Sequence, residues 1–372
     1  MKINLRQIAR LLPVLLFLVV FASQPARADV APPPVPGLGG MQPFEYQDTQ
    51  VQMIFERVEI ELIPESWVRE DEFIYPSDQD EYRVSAWFVM RNTGTQEEHM
   101  QVVFPLDNFN ECFHHDDFPL PPTYTGRPFY REDSFEVHVD GEPLTVTQVT
   151  TEHPYHGQSF CDQYEMIWAG FNVIFPTGRD VLIRVSYVMD STSVGDIGLE
   201  SFSYVLETGG AWKGPIERGY VIFRFPGIAD EEQVFEGTSP GYQILYNEVF
   251  WSFQNLEPTS EDNIYIVYIG ANTWEEINED RARIRRNPAD VEAWIRLSNN
   301  YGDIAYWHAD FVRSDAYAQK SEETLLAGLA ANPESADLHA EYAGYLWNRN
   351  YPHGYIPPDE RPEDVLAEID LA

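Results

Sequence analysis

The chain has 372 residues, of which 61 are Asp or Glu and 24 are Lys or Arg, giving a formal net charge of -37 at pH 7. That much negative charge argues against nucleic acid or an anionic membrane surface as a partner, since both repel it. Hydrophobic residues at 44% and aromatics at 14% exclude wholesale disorder, and the length allows two or three modest domains.

Residues 1–28 have the order of an export signal. Lys2, Arg6 and Arg10 make a basic start, Leu11 to Ala22 an apolar run, and Ala26-Arg27-Ala28 an A-x-A cleavage site. The apolar run is too short to span a bilayer comfortably. Cleavage after Ala28 removes four basic groups and no acidic ones, leaving a mature charge of -41. The mature protein is therefore expected to be exported, periplasmic or extracellular, with no transmembrane span after cleavage. The residue directly after the cleavage site is Asp29 and not cysteine, so no lipid anchor is expected. Residues 29–47 open with Asp29 and then Val-Ala-Pro-Pro-Pro-Val-Pro-Gly-Leu-Gly-Gly, a density of proline and glycine that predicts an extended linker.

Residues 48–270 read as a β-sandwich region, one sandwich or two. Val51, Met53 and Phe55 alternate, then Val58, Ile60 and Leu62 alternate in the opposite phase, which predicts a long strand interrupted by a bulge. Pro64 to Asp80 is polar and acidic and reads as a loop. Tyr82 to Leu106 predicts the central hairpin: Tyr82, Val84, Ala86, Phe88 and Met90 share one strand face, and Met100, Val102, Phe104 and Leu106 share another. Asn92-Thr93-Gly94 is the expected tight turn, with Gly94 supplying a positive φ. Asp107 to Arg131 is a long, proline-rich irregular segment. Asp140-Gly141 predicts a hairpin between Phe135–Val139 and Leu144–Thr151. Strands follow at Glu165–Phe175, Val181–Met189, Phe202–Glu207, Gly219–Phe225, Gln243–Tyr246, Val249–Phe253 and Asn263–Ile269. Three strands end in Phe-Pro (Phe104-Pro105, Phe175-Pro176, Phe225-Pro226), where the missing amide donor of proline is tolerated. About eleven short strands separated by turn signals predict an antiparallel sandwich architecture.

At Trp274 the apolar period lengthens from two residues towards 3.6, so residues 274–350 predict a helical domain and 351–372 a C-terminal tail. Trp274 to Arg286 is acidic first and basic last, which suits a helix dipole. Asn287-Pro288 and Asn332-Pro333 divide the helical region into segments. Trp294, Leu297, Tyr301, Ile304 and His308 fall on one helical face, Leu325, Gly328 and Leu329 on a second, and Leu338, Tyr342, Tyr345 and Leu346 on a third.

This part resembles the tetratricopeptide repeat. Trp294, Leu297 and Tyr301 stand where that motif carries its first-helix Trp, Leu and Tyr, and Leu325 and Pro333 match a large second-helix position and the closing proline. Ser321 and Gly328 replace small alanine positions, and His339 replaces the next Trp. The two Asn-Pro steps lie 45 residues apart instead of the motif's 34, which places an insertion at Tyr306 to Ala316. So short an array is expected to dock on the sandwich to cover its apolar faces. The β region also resembles a group of exported bacterial proteins of unknown function. The shared features are the Phe-Pro-Leu strand ending, Val139-Asp-Gly-Glu-Pro143, and the run from Leu206 through Trp212 to Pro215. That resemblance implies a sandwich with a helical tail and supplies no activity.

Signatures of the common hydrolases, phosphate-binding loops and calcium loops are absent from the sequence. The two cysteines, Cys112 and Cys161, are expected to form one disulfide, as an isolated pair in an exported chain usually does. His114 and His115 flank the first, and His153 and His156 precede the second. If the cysteines meet, these four imidazoles are neighbours and could hold zinc or copper, alone or, in a zinc site, with the thiolates. Trp212, in a glycine-rich turn, is a candidate ligand platform of the kind that stacks sugars. No cofactor is otherwise implied. These features favour a cell-envelope binding or scaffolding protein with a protein or peptide partner and no evident catalytic activity. The alternatives are a metal-binding protein or metal-dependent hydrolase using the Cys/His cluster, and a carbohydrate-binding module.

Overall fold

The computed structural model describes residues 41–44, 49–64, 81–105, 134–152, 165–190, 192–193, 198–235, 238–307, 314–350 and 363–372. In chain order the strands are β1 (Gln42–Pro43), β2 (Val51–Ile63), β3 (Glu81–Asn92), β4 (Glu98–Pro105), β5 (Glu136–Val139), β6 (Glu142–Pro143), β7 (Thr147–Glu152) and β8 (Glu165–Phe175). They continue as β9 (Asp180–Asp190), β10 (Thr192–Ser193), β11 (Leu199–Tyr204), β12 (Ile216–Arg224), β13 (Gln243–Leu245), β14 (Glu248–Leu256) and β15 (Ile264–Ile269). Five helices complete the described chain: α1 (Ala271–Arg286), α2 (Val291–Trp307), α3 (Ser314–Ala331), α4 (Ala336–Asn350) and α5 (Glu363–Leu371).

The protein is mainly β with a helical C-terminal part. One eight-stranded sheet has the order β13-β14-β12-β2-β3-β9-β5-β6, and two smaller sheets have the orders β1-β4-β8-β7 and β10-β11-β15. Phe104 and Phe171 of the first small sheet and Tyr204 and Tyr268 of the second join Val84, Phe88, Ile183 and Phe223 of the large sheet in one continuous core. Residues of both small sheets therefore share one core with the large sheet, as in a layered sandwich. The large sheet is not wholly antiparallel, because β2 and β12 pair in parallel over Gly219–Arg224.

The central hairpin is corrected by the pairing. Its apolar faces are as expected over the described residues, with Tyr82, Val84, Ala86, Phe88 and Met90 fully buried and Met100, Val102 and Phe104 buried opposite; Leu106 lies outside the described residues. Yet β3 pairs with β2 and β9, and β4 pairs with β1 and β8, so the two strands face each other across the core instead of bonding side by side. Both edges of β3 are occupied, which leaves β4 no ladder to join. Segment β8 to β9 makes the same crossing. Asn92 ties the two crossings together: its Nδ2 donates to the carbonyls of Gln96 (2.7 Å) and Phe175 (2.9 Å), while its Oδ1 accepts from Gly94 N (2.8 Å). Gly94 is absent from the residues with positive φ. It serves by its size, since a Cβ there would sit 2.9 Å from the Gln50 side chain.

Asp140 (φ 53°) and Gly141 (φ 91°) do form a turn, between β5 and the two-residue β6. The chain then leaves the large sheet, and β7 pairs with β8. The bulge in β2 falls between Met53 and Phe55. Val51 and Met53 point inward before it and Glu56, Val58, Ile60 and Leu62 after it, so Phe55 turns outward and Glu56 inward. The expected linker is also modified at its end, where Met41 is fully buried and β1 adds to β4.

Strand β15 reads Ile-Tyr-Ile-Val-Tyr-Ile because both of its faces are covered. Ile264, Ile266 and Tyr268 enter the sandwich core, whereas Val267 and Ile269 join Leu199, Phe235, Ile277, Leu297, Tyr301, Ile304 and Tyr317 beneath the helices. Helix α1 starts directly after Gly270 and carries Arg283, Arg285 and Arg286 in its last turn, where the dipole favours them. The punctuating prolines sit in the preceding turns, and the capping contacts come from Asp290, whose Oδ1 accepts from Ala293 N (3.3 Å), and Ser335, whose Oγ accepts from Leu338 N (3.4 Å). Helices α2 and α3 reach into both ends of the expected insertion; residues 308–313 lie outside the described residues. Their close approach uses small groups, with Ser298 Oγ and Ser321 Oγ 2.9 Å apart. The expected tail contains α5, whose Val365 packs on Ala343 and Leu346 of α4.

Candidate functional site

Cys112, Cys161, His114, His115, His153 and His156 lie outside the described residues. Trp212 lies within them, and it is 4% exposed. Its indole Nε1 donates to Met41 O (2.8 Å) and its ring meets Phe175 edge-on at 6.0 Å. An indole covered on this scale has no face to offer a sugar, so the stacking platform is replaced by a structural plug. Burying an aromatic ring with its N–H bonded is the favourable outcome for a group this large.

The arrangement that sequence reasoning missed is a notch of about 270 Å³ where the helices meet the β region. Helical spacing builds it. Trp274, Ile277 and Arg281 recur on one face of α1, and Ile277 at 0% exposure anchors that face. On α2, Trp294 and Tyr301 lie two turns apart, and on α3 Lys320, Glu323, Thr324 and Ala327 follow one another along the wall. The remaining wall comes from Glu232, in the connection between β12 and β13.

Two cations of the notch converge on one carboxylate oxygen. Arg281 Nη2 donates to Glu232 Oε1 at 2.6 Å, and Lys320 Nζ donates to the same oxygen. Arg281 is held from its other side by the Tyr301 hydroxyl, which accepts from Nε (2.9 Å) and Nη2 (2.6 Å). Aromatic faces complete the setting. The guanidinium lies 5.4 Å from the Trp274 ring and 5.7 Å from Tyr301, and Lys320 Nζ lies 4.5 Å from the Tyr317 ring. Cation–π contacts of this kind are worth about 0.5–2 kcal/mol each and orient the cation as well as stabilise it. Burial pushes the Glu232 carboxyl up, but Lys320 and Arg281 outweigh it and hold the group below the ordinary carboxylate range. Burial likewise raises the Tyr301 hydroxyl, with Arg281 offsetting part of the effect, so the phenol stays protonated at neutral pH. The notch thus holds two oriented cations, Arg281 and Lys320, between two carboxylates, Glu232 and Glu323, with aromatic sides, and the cations bond a carboxylate there.

The signal available in the sequence was scarcity. Lys2, Lys213 and Lys320 are its three lysines, so a lysine inside a helix of this acidic chain is itself uncommon. Nothing in the sequence links it to Glu232, 88 positions away.

A second group has unusual chemistry. Glu56 is 1% exposed in the core, and Tyr204 donates a hydrogen bond to its Oε1 at 2.9 Å. Burial raises its pKa from 4.5 to about 7, with the Tyr204 bond pulling the other way. No substrate reaches a carboxyl so covered, and its consequence is for stability. Among the described residues no group of three or more His, Cys, Asp and Glu is placed to hold a metal ion, and no helix is long and apolar enough to cross a membrane.

No protein-family model and no curated protein matches the chain. Among solved structures it is similar to one from Legionella pneumophila described as a "putative nutrient binding protein". The identity is 16% over 90% of this chain and 97% of that one, with a TM-score of 0.45. It is also similar to an M1 zinc metallopeptidase from Deinococcus radiodurans, at 8% identity over 63% of this chain and 44% of that one, with a TM-score of 0.28. Both likenesses are distant.

Proposed function

We propose that this protein is an exported binding protein of the cell envelope, and that its recognition surface is the notch between α1, α2, α3 and the Glu232 connection. The ligand class is a carboxylate-bearing group of a protein or peptide partner. One observation carries the reading: Arg281 and Lys320 converge on a single carboxylate oxygen at the side of an open, aromatic-lined notch, in a chain whose net charge is -37. A cation pair kept in such an acidic protein, and oriented by Tyr301 and Trp274, is arranged for anion recognition. On this reading α2 to α4 act as a short tetratricopeptide-like array that presents the notch, and the β region is the platform that fixes it. The export signal and the cleavage after Ala28 belong to the same proposal. Intact-mass measurement of the exported protein checks them, and a mature chain still beginning at Met1 removes the export assignment.

The binding test uses the mature full-length chain and a fluorescein-labelled Gly-Gly-Asp-Glu peptide, with the neutral Gly-Gly-Asn-Gln amide as control. Fluorescence polarisation is expected to show binding of the acidic peptide alone, weakening as salt is raised. Arg281→Ala is expected to abolish it. Equal binding of both peptides, or an unaffected Arg281→Ala variant, refutes the reading.

A further inference from the structure

We infer that Glu232 is a resident competitor in the notch: its carboxylate occupies the place of the ligand's, and binding requires it to swing out. The inference rests on the reading of the notch as a carboxylate site and adds how that site is regulated. Three features of the geometry support it.

The first is the manner of pairing. Both cations bond Oε1, so Arg281 offers a single N–H to a group that a guanidinium fork would hold through two. A free carboxylate entering from solvent can approach Arg281 and Lys320 with both oxygens. The second is that the Glu232 backbone is anchored independently of its side chain. Glu232 N donates to Asp230 Oδ1 (2.9 Å), and Tyr317 donates its hydroxyl proton to Glu232 O (2.8 Å). Beyond it, Phe235 N donates to Val267 O (2.7 Å) and Ile269 N to Gln233 O (2.8 Å), joining the connection to β15. Rotation about the side chain alone therefore clears the site, and no loop has to move.

The third is that the cations are positioned without Glu232. Tyr301 and Trp274 hold Arg281, and the Tyr317 ring faces Lys320. Displacement leaves both cations preorganised, with Glu323 at the wall beside them, instead of two solvated side chains. The Glu232 side chain is 25% exposed, so water reaches the ion pair and exchange is not blocked by burial. An occupied site lowers apparent affinity by the fraction of time it is free. If Glu232 holds it nine-tenths of the time, its removal tightens binding about tenfold.

The experiment compares the wild-type mature chain, Glu232→Gln, Arg281→Ala and the double variant, all titrated with labelled Gly-Gly-Asp-Glu. Glu232→Gln is expected to bind about tenfold tighter than wild type, and the double variant to lose binding. Thermal melts establish that each variant folds. If Glu232→Gln does not fold, Glu232→Asp, one methylene too short to reach both cations, is read in its place with the same expected tightening. Equal affinity in wild type and the Glu232 variant, with loss in Arg281→Ala, leaves the site standing and overturns the competitor. No binding by any variant, the Glu232 variant included, removes the site itself and the inference with it.

Discussion

Replacing Glu56 by Gln is expected to stabilise this protein at alkaline pH and to leave it nearly unchanged in acid. Glu56 is placed in the core by the β2 bulge, is 1% exposed, and has its carboxyl raised from 4.5 to about 7 by burial. Between those two values the native state keeps a proton that the unfolded chain has released. Stability therefore falls as pH rises through this window, and the whole penalty is present above it. At 1.36 kcal/mol per pKa unit, the penalty is about 3 kcal/mol. Gln has the shape of the protonated acid, accepts the Tyr204 hydrogen bond and carries no charge to desolvate. Urea unfolding from pH 4 to 8.5 gives the comparison, and taking the difference between the two proteins cancels the other titrating groups. Near pH 4 the curves should coincide within about 1 kcal/mol. At pH 8.5 the Gln variant should gain about 3 kcal/mol, which for a slope of ~3 kcal/mol/M is a midpoint shift of about 1 M. A gap independent of pH, or a Gln variant less stable than wild type at pH 8.5, refutes the account.

Gly328→Ala should destabilise by about 1 kcal/mol: its Cβ would lie 3.1 Å from Cβ of Trp294, and this crowding exceeds the gain in helix propensity. A thermal melt at or above that of wild type contradicts it. His339 has both ring nitrogens on acceptors, Glu368 Oε2 at 2.6 Å and Pro333 O at 3.1 Å, and Glu368 followed by the Pro333 carbonyl raises its pKa above the ordinary 6.5. The clamp of α4 on α5 is thus complete below pH 6.5 and is lost as pH rises through the raised value. Hydrogen exchange in Glu363–Leu371 should accelerate above that pH in wild type and show no such step in His339→Gln. A chain beginning at Trp274 lacks Leu199, Phe235, Val267 and Ile269, and so uncovers Ile277, Leu297, Ile304 and Tyr317, each worth roughly 1.5–3 kcal/mol when buried. It should be poorly folded or self-associate, and cooperative melting as a monomer would show that the docking is dispensable. Cys112 and Cys161, if joined, close a loop of about 50 residues worth roughly 4 kcal/mol. Thiol counting in denaturant should find none free, and two thiols exposed only by a chelator would establish a metal site in place of the bond.

Which segments extend, which coil, and which side of each is apolar were legible in the local pattern of residues. The period-two runs at Val51–Leu62 and Tyr82–Met90 and the 3.6-residue period after Trp274 follow from side-chain directions that any strand or helix must have. For the same reason the β2 bulge was legible, because an inserted residue reverses the alternation beyond it. Which strand edges bond to one another was set only by the packing of the whole chain. A hairpin and a crossing between sheets bury the same side chains, because apolar pattern specifies faces and says nothing of the backbone donors along an edge. Thus β3 and β4 looked like partners, although β2 and β9 had taken both edges of β3. The same limit hid the notch. Arg281, Tyr301 and Lys320 are spaced on their own helices by the helical repeat, but Glu232 reaches them only because β15 and its neighbouring connection support the helices from below. Trp212 shows the converse: its glycine-rich surroundings suggested an exposed ring, and the burial of Met41 and Phe175 beside it turned the ring inward. Local sequence sets direction and periodicity, whereas charge convergence and edge pairing are properties of the packed chain.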